Sequence, residues 1–119
     1  MKVAELEGAL LDYWVAKAEG LEIDSAFEKG LHPHLYVFVD GDLADFAPSS
    51  NWGDGGPLIE RGLISLLFLP ADSPDRTQDR WEAFTNSEGP SFESASPLVA
   101  AMRAHVASKF GDDVPDINA

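Results

Sequence analysis

The chain contains no cysteine, which removes a disulfide framework, a thiolate nucleophile and any cysteine-held zinc or iron–sulfur centre. Basic residues are scarce: 8 Lys and Arg stand against 21 Asp and Glu, a formal charge of −13. A polyanion of that strength repels DNA, RNA and anionic membrane, so direct nucleic-acid binding and membrane association are not expected. The same charge favours encounter with a partner that has a basic surface. Long apolar runs are also missing. The longest, Leu63 to Leu69, is strand-sized and far short of the roughly 20 residues that span a bilayer. Met1-Lys2-Val3-Ala4-Glu5 carries an acid at once and opens no signal-peptide apolar segment, so a cytoplasmic protein is expected. No internal repeat or low-complexity tract interrupts the chain.

What is present describes one small globular unit. The 119 residues are 45% hydrophobic, too rich for a disordered chain and enough for one modest core. Residues 4–19 read as a helix, with Leu6, Leu10, Tyr13, Trp14 and Lys17 recurring every three or four positions and Leu11, Val15 and Ala18 beside them. An apolar arc that wide predicts packing against both a sheet and another helix, and Gly20 is placed to end the helix. Residues 21–34 suggest a short helix capped by Asp24 or Ser25, broken at His32-Pro33-His34. Leu35 to Val39 predicts a strand, Asp40-Gly41 a hairpin turn, and Leu43 to Phe46 the returning strand. By composition 47–57 is a loop. Further strands are expected within 58–69 and at 80–85, with loops at 70–79 and 86–95. Ser96-Pro97 starts a second long helix that presents Leu98, Met102, His105, Val106 and Phe110, and Gly111 ends it. The order predicts an α+β domain over residues 1–111, a small antiparallel sheet packed against N- and C-terminal amphipathic helices, followed by a loose acidic tail at 112–119.

The acids are unevenly spread: 12 acids and 3 bases lie in residues 1–60, and no base stands between Lys29 and Arg61. Inside that window lies Ser49-Ser50-Asn51-Trp52-Gly53-Asp54-Gly55-Gly56, the strongest candidate site. Backbone amides around glycines can cradle a ligand, Asn51 offers a donor and an acceptor, and the Trp52 face can stack on a planar group. The competing reading is a structural loop that Trp52 pins to the core. The segment lacks the Gly-Lys-Ser/Thr ending of a phosphate-binding loop, and its acids make phosphate a poor ligand. Arg103, at the edge of the last helix's apolar stripe, is the second candidate, able to grip a carboxylate from Glu60, Asp54 or a ligand. The candidate ligand-binding set is therefore Ser50, Asn51, Trp52, Asp54, Gly55, Gly56 and Arg103.

Chemistry of other kinds finds no support. Asp40-Gly41-Asp42-Leu43-Ala44-Asp45 fails the calcium-loop pattern at its fifth, sixth and twelfth positions. His32 and His34 have ligand-like spacing and no third ligand, so no metal and no cofactor is expected. None of Ser49, Ser50, Ser65 or Ser96 stands in a nucleophile motif, and no catalytic residue is assigned.

Three segments carry a family resemblance: Leu6 to Gly20, Pro48 to Glu60, and Ser96 to Asp112. In this order they resemble the NinX-like family of phage and prophage proteins, over nearly the whole chain. The resemblance implies a cytoplasmic protein of phage or prophage origin in a bacterial host, with a domain of unknown function and no catalytic residues to carry over. The leading expectation is a non-enzymatic accessory protein that binds a host or phage protein through its acidic surface. The alternatives are a small-molecule-binding protein or minor enzyme using the Asn51-Trp52/Gly55-Gly56 loop with Arg103, and a DNA mimic. A homodimer through one of the wide helix faces is a further expectation, since the core is small.

Overall fold

The computed structural model describes residues 1–72, 77–86 and 88–117. After a 3-10 turn at Val3–Glu5 come α1 (Gly8–Glu19), β1 (Glu22–Ile23), β2 (Tyr36–Val39) and β3 (Asp42–Asp45). Then follow α2 (Trp52–Arg61), β4 (Ser65–Leu69), β5 (Arg80–Phe84), β6 (Phe92–Ser94) and α3 (Pro97–Phe110). The fold is α+β, with two three-stranded antiparallel sheets, β1-β2-β3 and β4-β5-β6, in place of the single sheet anticipated.

The helix α3 sits at the centre. Ser96 caps it by accepting from the Val99 N–H at 3.2 Å, and Pro97 occupies its first turn. Every residue from Ala100 to Val106 is buried, the signature of a helix surrounded by other elements rather than lying on a surface. It packs against α1, α2, β5 and β6. The α1 helix lays Leu11, Trp14 and Val15 into the same core, and Trp14 meets Phe110 edge to face at 5.5 Å. Gly20 ends α1 with φ 70. The apolar faces of both long helices thus pack largely within the one chain.

Polar side chains tie the helices together near their C-terminal ends. His105 Nε2 lies 3.0 Å from Glu19 Oε2, and Arg61 Nη2 donates to Glu19 Oε1 at 3.0 Å. Arg61, in the last turn of α2, opposes the partial negative charge of that helix's exposed carbonyls. Burial pushes the His105 pKa down, against the opposing pull of Glu19.

The β2–β3 hairpin forms as read: Asp40 and Gly41 have φ 52 and 86, the pair of positive angles that a two-residue turn requires to match strand twist. Three expectations fail. The segment 47–57 is not a loop, because α2 begins at Trp52. Three glycines and Pro57 cost an isolated helix about 6 kcal/mol relative to alanine, so tertiary packing overrides local preference. The Asn51 side chain caps this helix by accepting from the Gly53 N–H at 2.7 Å, and Leu58 is buried. Residues 24–31 form turns instead of a helix, with β1 preceding them. Within 86–95, β6 forms because Phe92, 7% exposed, pairs with Ala83 and completes the core side of its sheet.

The tail is not loose where it follows α3. Val3 N–H donates to the Asp112 carbonyl at 2.9 Å, Val114 N–H donates to that of Met1 at 3.0 Å, and Val114 is buried. Of the expected loop at 70–79, residues 73–76 lie outside the described residues, as do residues 118–119 of the tail.

Candidate functional site

An open cleft of about 800 Å3 lies between α1, the hairpin of β2 and β3, and the chain entering α2. Asp12 of α1 lines it, with His34 and Tyr36, Asp45 and Phe46, and Ser50, Asn51 and Trp52. Three aromatic rings and two carboxylates therefore share one concave surface, and its described lining holds no Lys or Arg.

Asp12 was not singled out from sequence, and it is the organising residue. It is 5% exposed, and its Oδ1 accepts from the Ser49 N–H at 2.8 Å. That bond fixes the strand-to-helix connection against α1. Ser49 Oγ also lies within 3.5 Å of the Gly8 carbonyl, so two groups of one residue dock on α1. Burial pushes the Asp12 carboxyl above its ordinary value, with Asp54 adding to the rise, while the bonds from Ser49 act against it. Among the described residues no basic group forms an ion pair with Asp12. A buried carboxylate without a cation is costly, and such groups concentrate at sites of function. The signal in the sequence was a lone acid beside Leu11 on a helix whose neighbouring positions Trp14 and Val15 are apolar.

The seven candidate residues divide. Ser50, Asn51 and Trp52 line the cleft together, and Trp52 is 54% exposed, so it does not pin the segment to the core. Asp54, Gly55 and Gly56 are not in the lining. Asp54 Oδ2 accepts from the Ala47 N–H at 3.0 Å and closes the turn that precedes α2. At Gly55 a Cβ would stand 2.5 Å from the Pro48 carbonyl oxygen and 2.8 Å from Leu98 Cδ2, so only glycine lets α2 pack this closely on the main chain at Pro48. At Gly56 nothing lies within 4 Å of such a Cβ.

Arg103 is elsewhere. Its Nε donates to the Leu6 carbonyl at 2.7 Å and its Nη1 to the Glu93 carbonyl at 3.0 Å. The guanidinium thus clamps the segment before α1 to β6 across α3. Burial pushes its pKa down, Glu7 opposes that, and Arg80 adds to it. A fork with two carbonyls already in hand is a structural tie, not a ligand grip.

Among the described residues no group of three or more His, Asp or Glu is placed to hold a metal ion, and no helix is long and apolar enough to cross a membrane. No curated protein gives a significant match to the chain. The family model described as bacteriophage P22, NinX matches residues 2–109. That span runs from the first turn into the last turn of α3 and includes every residue of the cleft, and the chain belongs to this phage protein family.

Proposed function

We propose that this member of a phage protein family is an accessory protein that binds a basic segment of a host or phage protein, seating an arginine or lysine side chain in the cleft. One observation carries the reading: Asp12, buried and without a cation, lines an aromatic-walled cleft with Asp45. A guanidinium or ammonium supplies what that arrangement lacks. It offsets the cost of the buried charge, and it stacks on the faces of Trp52 or Tyr36, an attraction of about 1–2 kcal/mol when desolvated. The surrounding charge of −13 steers a basic partner toward the cleft and makes the association salt-sensitive. The reading that joins this segment to Arg103 as a small-molecule site loses its second half, because Arg103 is committed to Leu6 and Glu93.

Calorimetric titration with a short arginine-containing peptide, and with the same peptide carrying neutral citrulline, tests the proposal. The arginine peptide is expected to bind and the citrulline peptide not to. Trp52→Ala, at an exposed position, is expected to weaken binding about tenfold without unfolding the chain. Equal binding of both peptides, or an affinity that neither Trp52→Ala nor Asp45→Asn alters, contradicts it.

A further inference from the structure

A second pocket, of about 410 Å3, shares no lining residue with the cleft. Its walls are Tyr13 and Trp14 of α1, Phe110 at the end of α3, and Pro115, Asp116 and Ile117 of the tail. The rings of Tyr13 and Phe110 each meet Trp14 edge to face, at 5.2 and 5.5 Å, and Phe110 is still 42% exposed. Trp14 itself is 7% exposed. Its Nε1 is the one buried side-chain polar atom without a hydrogen-bond partner among the described residues. An indole N–H is a donor only, and buried polar groups rarely stand unpaired. Lys17, three positions on and on the same face of α1, also lines the pocket. Its ammonium lies 5.5 Å from the centre of the Tyr13 ring and forms no ion pair among the described residues. The acids of the lining are better provided for. Asp116 Oδ1 stands 4.0 Å from the N-terminal ammonium. Burial, with Glu28 adding to it, pushes the Tyr13 pKa up to about 12, so the hydroxyl keeps its proton and faces Glu28 as a donor. The two groups left without an acceptor, on Trp14 and Lys17, are both donors.

We propose that this pocket binds a small aromatic carboxylate, its ring laid among Tyr13, Trp14 and Phe110 and its carboxylate taking the Trp14 N–H and the Lys17 ammonium as residues 115–117 of the tail move aside. Apolar walls with a few placed polar groups, enclosing roughly 300–1,000 Å3, are what small-molecule sites are built from. An aromatic ring adds edge and face contacts with the three rings already present. A carboxylate suits the donors because one group meets both, and a bond to a charged donor is roughly twice as strong as a neutral one. A cationic ligand would meet Lys17. The Trp14 N–H is out of contact with solvent, so an acceptor reaches it only when the outer wall gives way. That wall is the tail beyond the anchored Val114, with Pro115 and Asp116 exposed. The same three tail residues wall a cavity of about 540 Å3 on the side of Leu10 and Phe27, so they are flanked by open space on both sides. The net charge of −13 opposes an anion at long range, so the affinity is modest. The inference does not rest on the cleft, which takes a ligand of the opposite charge.

Titration of the nitrogen-labelled protein with cinnamate, and with neutral cinnamamide, tests it. The three tryptophans give three indole N–H resonances. Cinnamate is expected to move that of Trp14 and to leave those of Trp52 and Trp81 in place, a readout that needs no variant. Cinnamamide is expected to bind about tenfold more weakly. Lys17→Gln, at an exposed position, is expected to weaken cinnamate about tenfold and to leave cinnamamide unchanged. Asp45→Asn, which alters the cleft alone, is expected to change neither. A Trp14 resonance that ignores cinnamate, a shift centred on Trp52 instead, equal affinity for the acid and its amide, or a Lys17→Gln variant that binds cinnamate like the parent overturns the inference.

Discussion

Replacing Arg103 separates structure from binding. Its guanidinium makes two hydrogen bonds to main-chain carbonyls, at 2.7 Å to Leu6 and 3.0 Å to Glu93, and the residue is 9% exposed. A hydrogen bond from a charged donor contributes about 1.5–3 kcal/mol, and its loss in a buried site leaves the acceptor unsatisfied. Arg103→Ala removes both and is expected to cost about 3–6 kcal/mol, a large part of the roughly 5–15 kcal/mol that holds a domain together. Lysine has one donor group where arginine has a fork, so Arg103→Lys can keep one bond and is expected to lose about half as much. Urea unfolding followed by tryptophan fluorescence reads both, with the midpoint falling and the slope unchanged. Folded Arg103→Lys is expected to bind the arginine peptide like the parent, because the residue does not line the cleft. An Arg103→Ala variant within about 1 kcal/mol of the parent would refute the clamp, because the loss of two such bonds cannot be that small.

Other changes have expected signs. Gly55→Ala drives a methyl group to 2.5 Å from the Pro48 carbonyl and is expected to cost about 1–3 kcal/mol in thermal unfolding. Gly56→Ala has open space and is expected to stabilise α2 by up to about 1 kcal/mol. Asp12 has a folded-state pKa raised above 3.8, chiefly by burial, so its contribution to stability is present below that value and is lost as pH rises through the raised value. Asp12→Asn keeps an acceptor for Ser49 and removes this slope, so in parallel urea titrations its stability relative to the parent is expected to increase with pH. Glu82 and Glu93 stand directly opposite on β5 and β6, a like-charge pair, and Glu82→Thr is expected to raise stability by about 0.2–1 kcal/mol by the same measurement.

The parts of this fold legible in the sequence are those where local and tertiary preferences agree. α3 had a serine cap, a proline in the first turn and a glycine past its end, and the β2–β3 hairpin had Asp-Gly at the turn. α2 was not legible, because Gly53, Gly55, Gly56 and Pro57 all argue against a helix. What stabilises it is Leu58 in the core and the close approach of Gly55 to Pro48 and to Leu98, the latter distant in sequence. The cleft was half legible. Ser50, Asn51 and Trp52 were found through their composition, and Asp12 was hidden on a helix read mainly for its apolar stripe. Arg103 reads from sequence as a grip for a carboxylate, yet the groups that hold it are the carbonyls of positions 6 and 93, and no local pattern reveals that meeting.

The central claim, that the cleft of Asp12, Asp45 and Trp52 receives a basic side chain, is tested most directly by mapping amide chemical shifts while the arginine peptide is titrated in. The largest changes are expected at residues 8–12, 34–36 and 45–52, the segments that line the cleft. They are expected to shrink as salt is raised. Shifts that centre on other surfaces, or none at low salt, would contradict it.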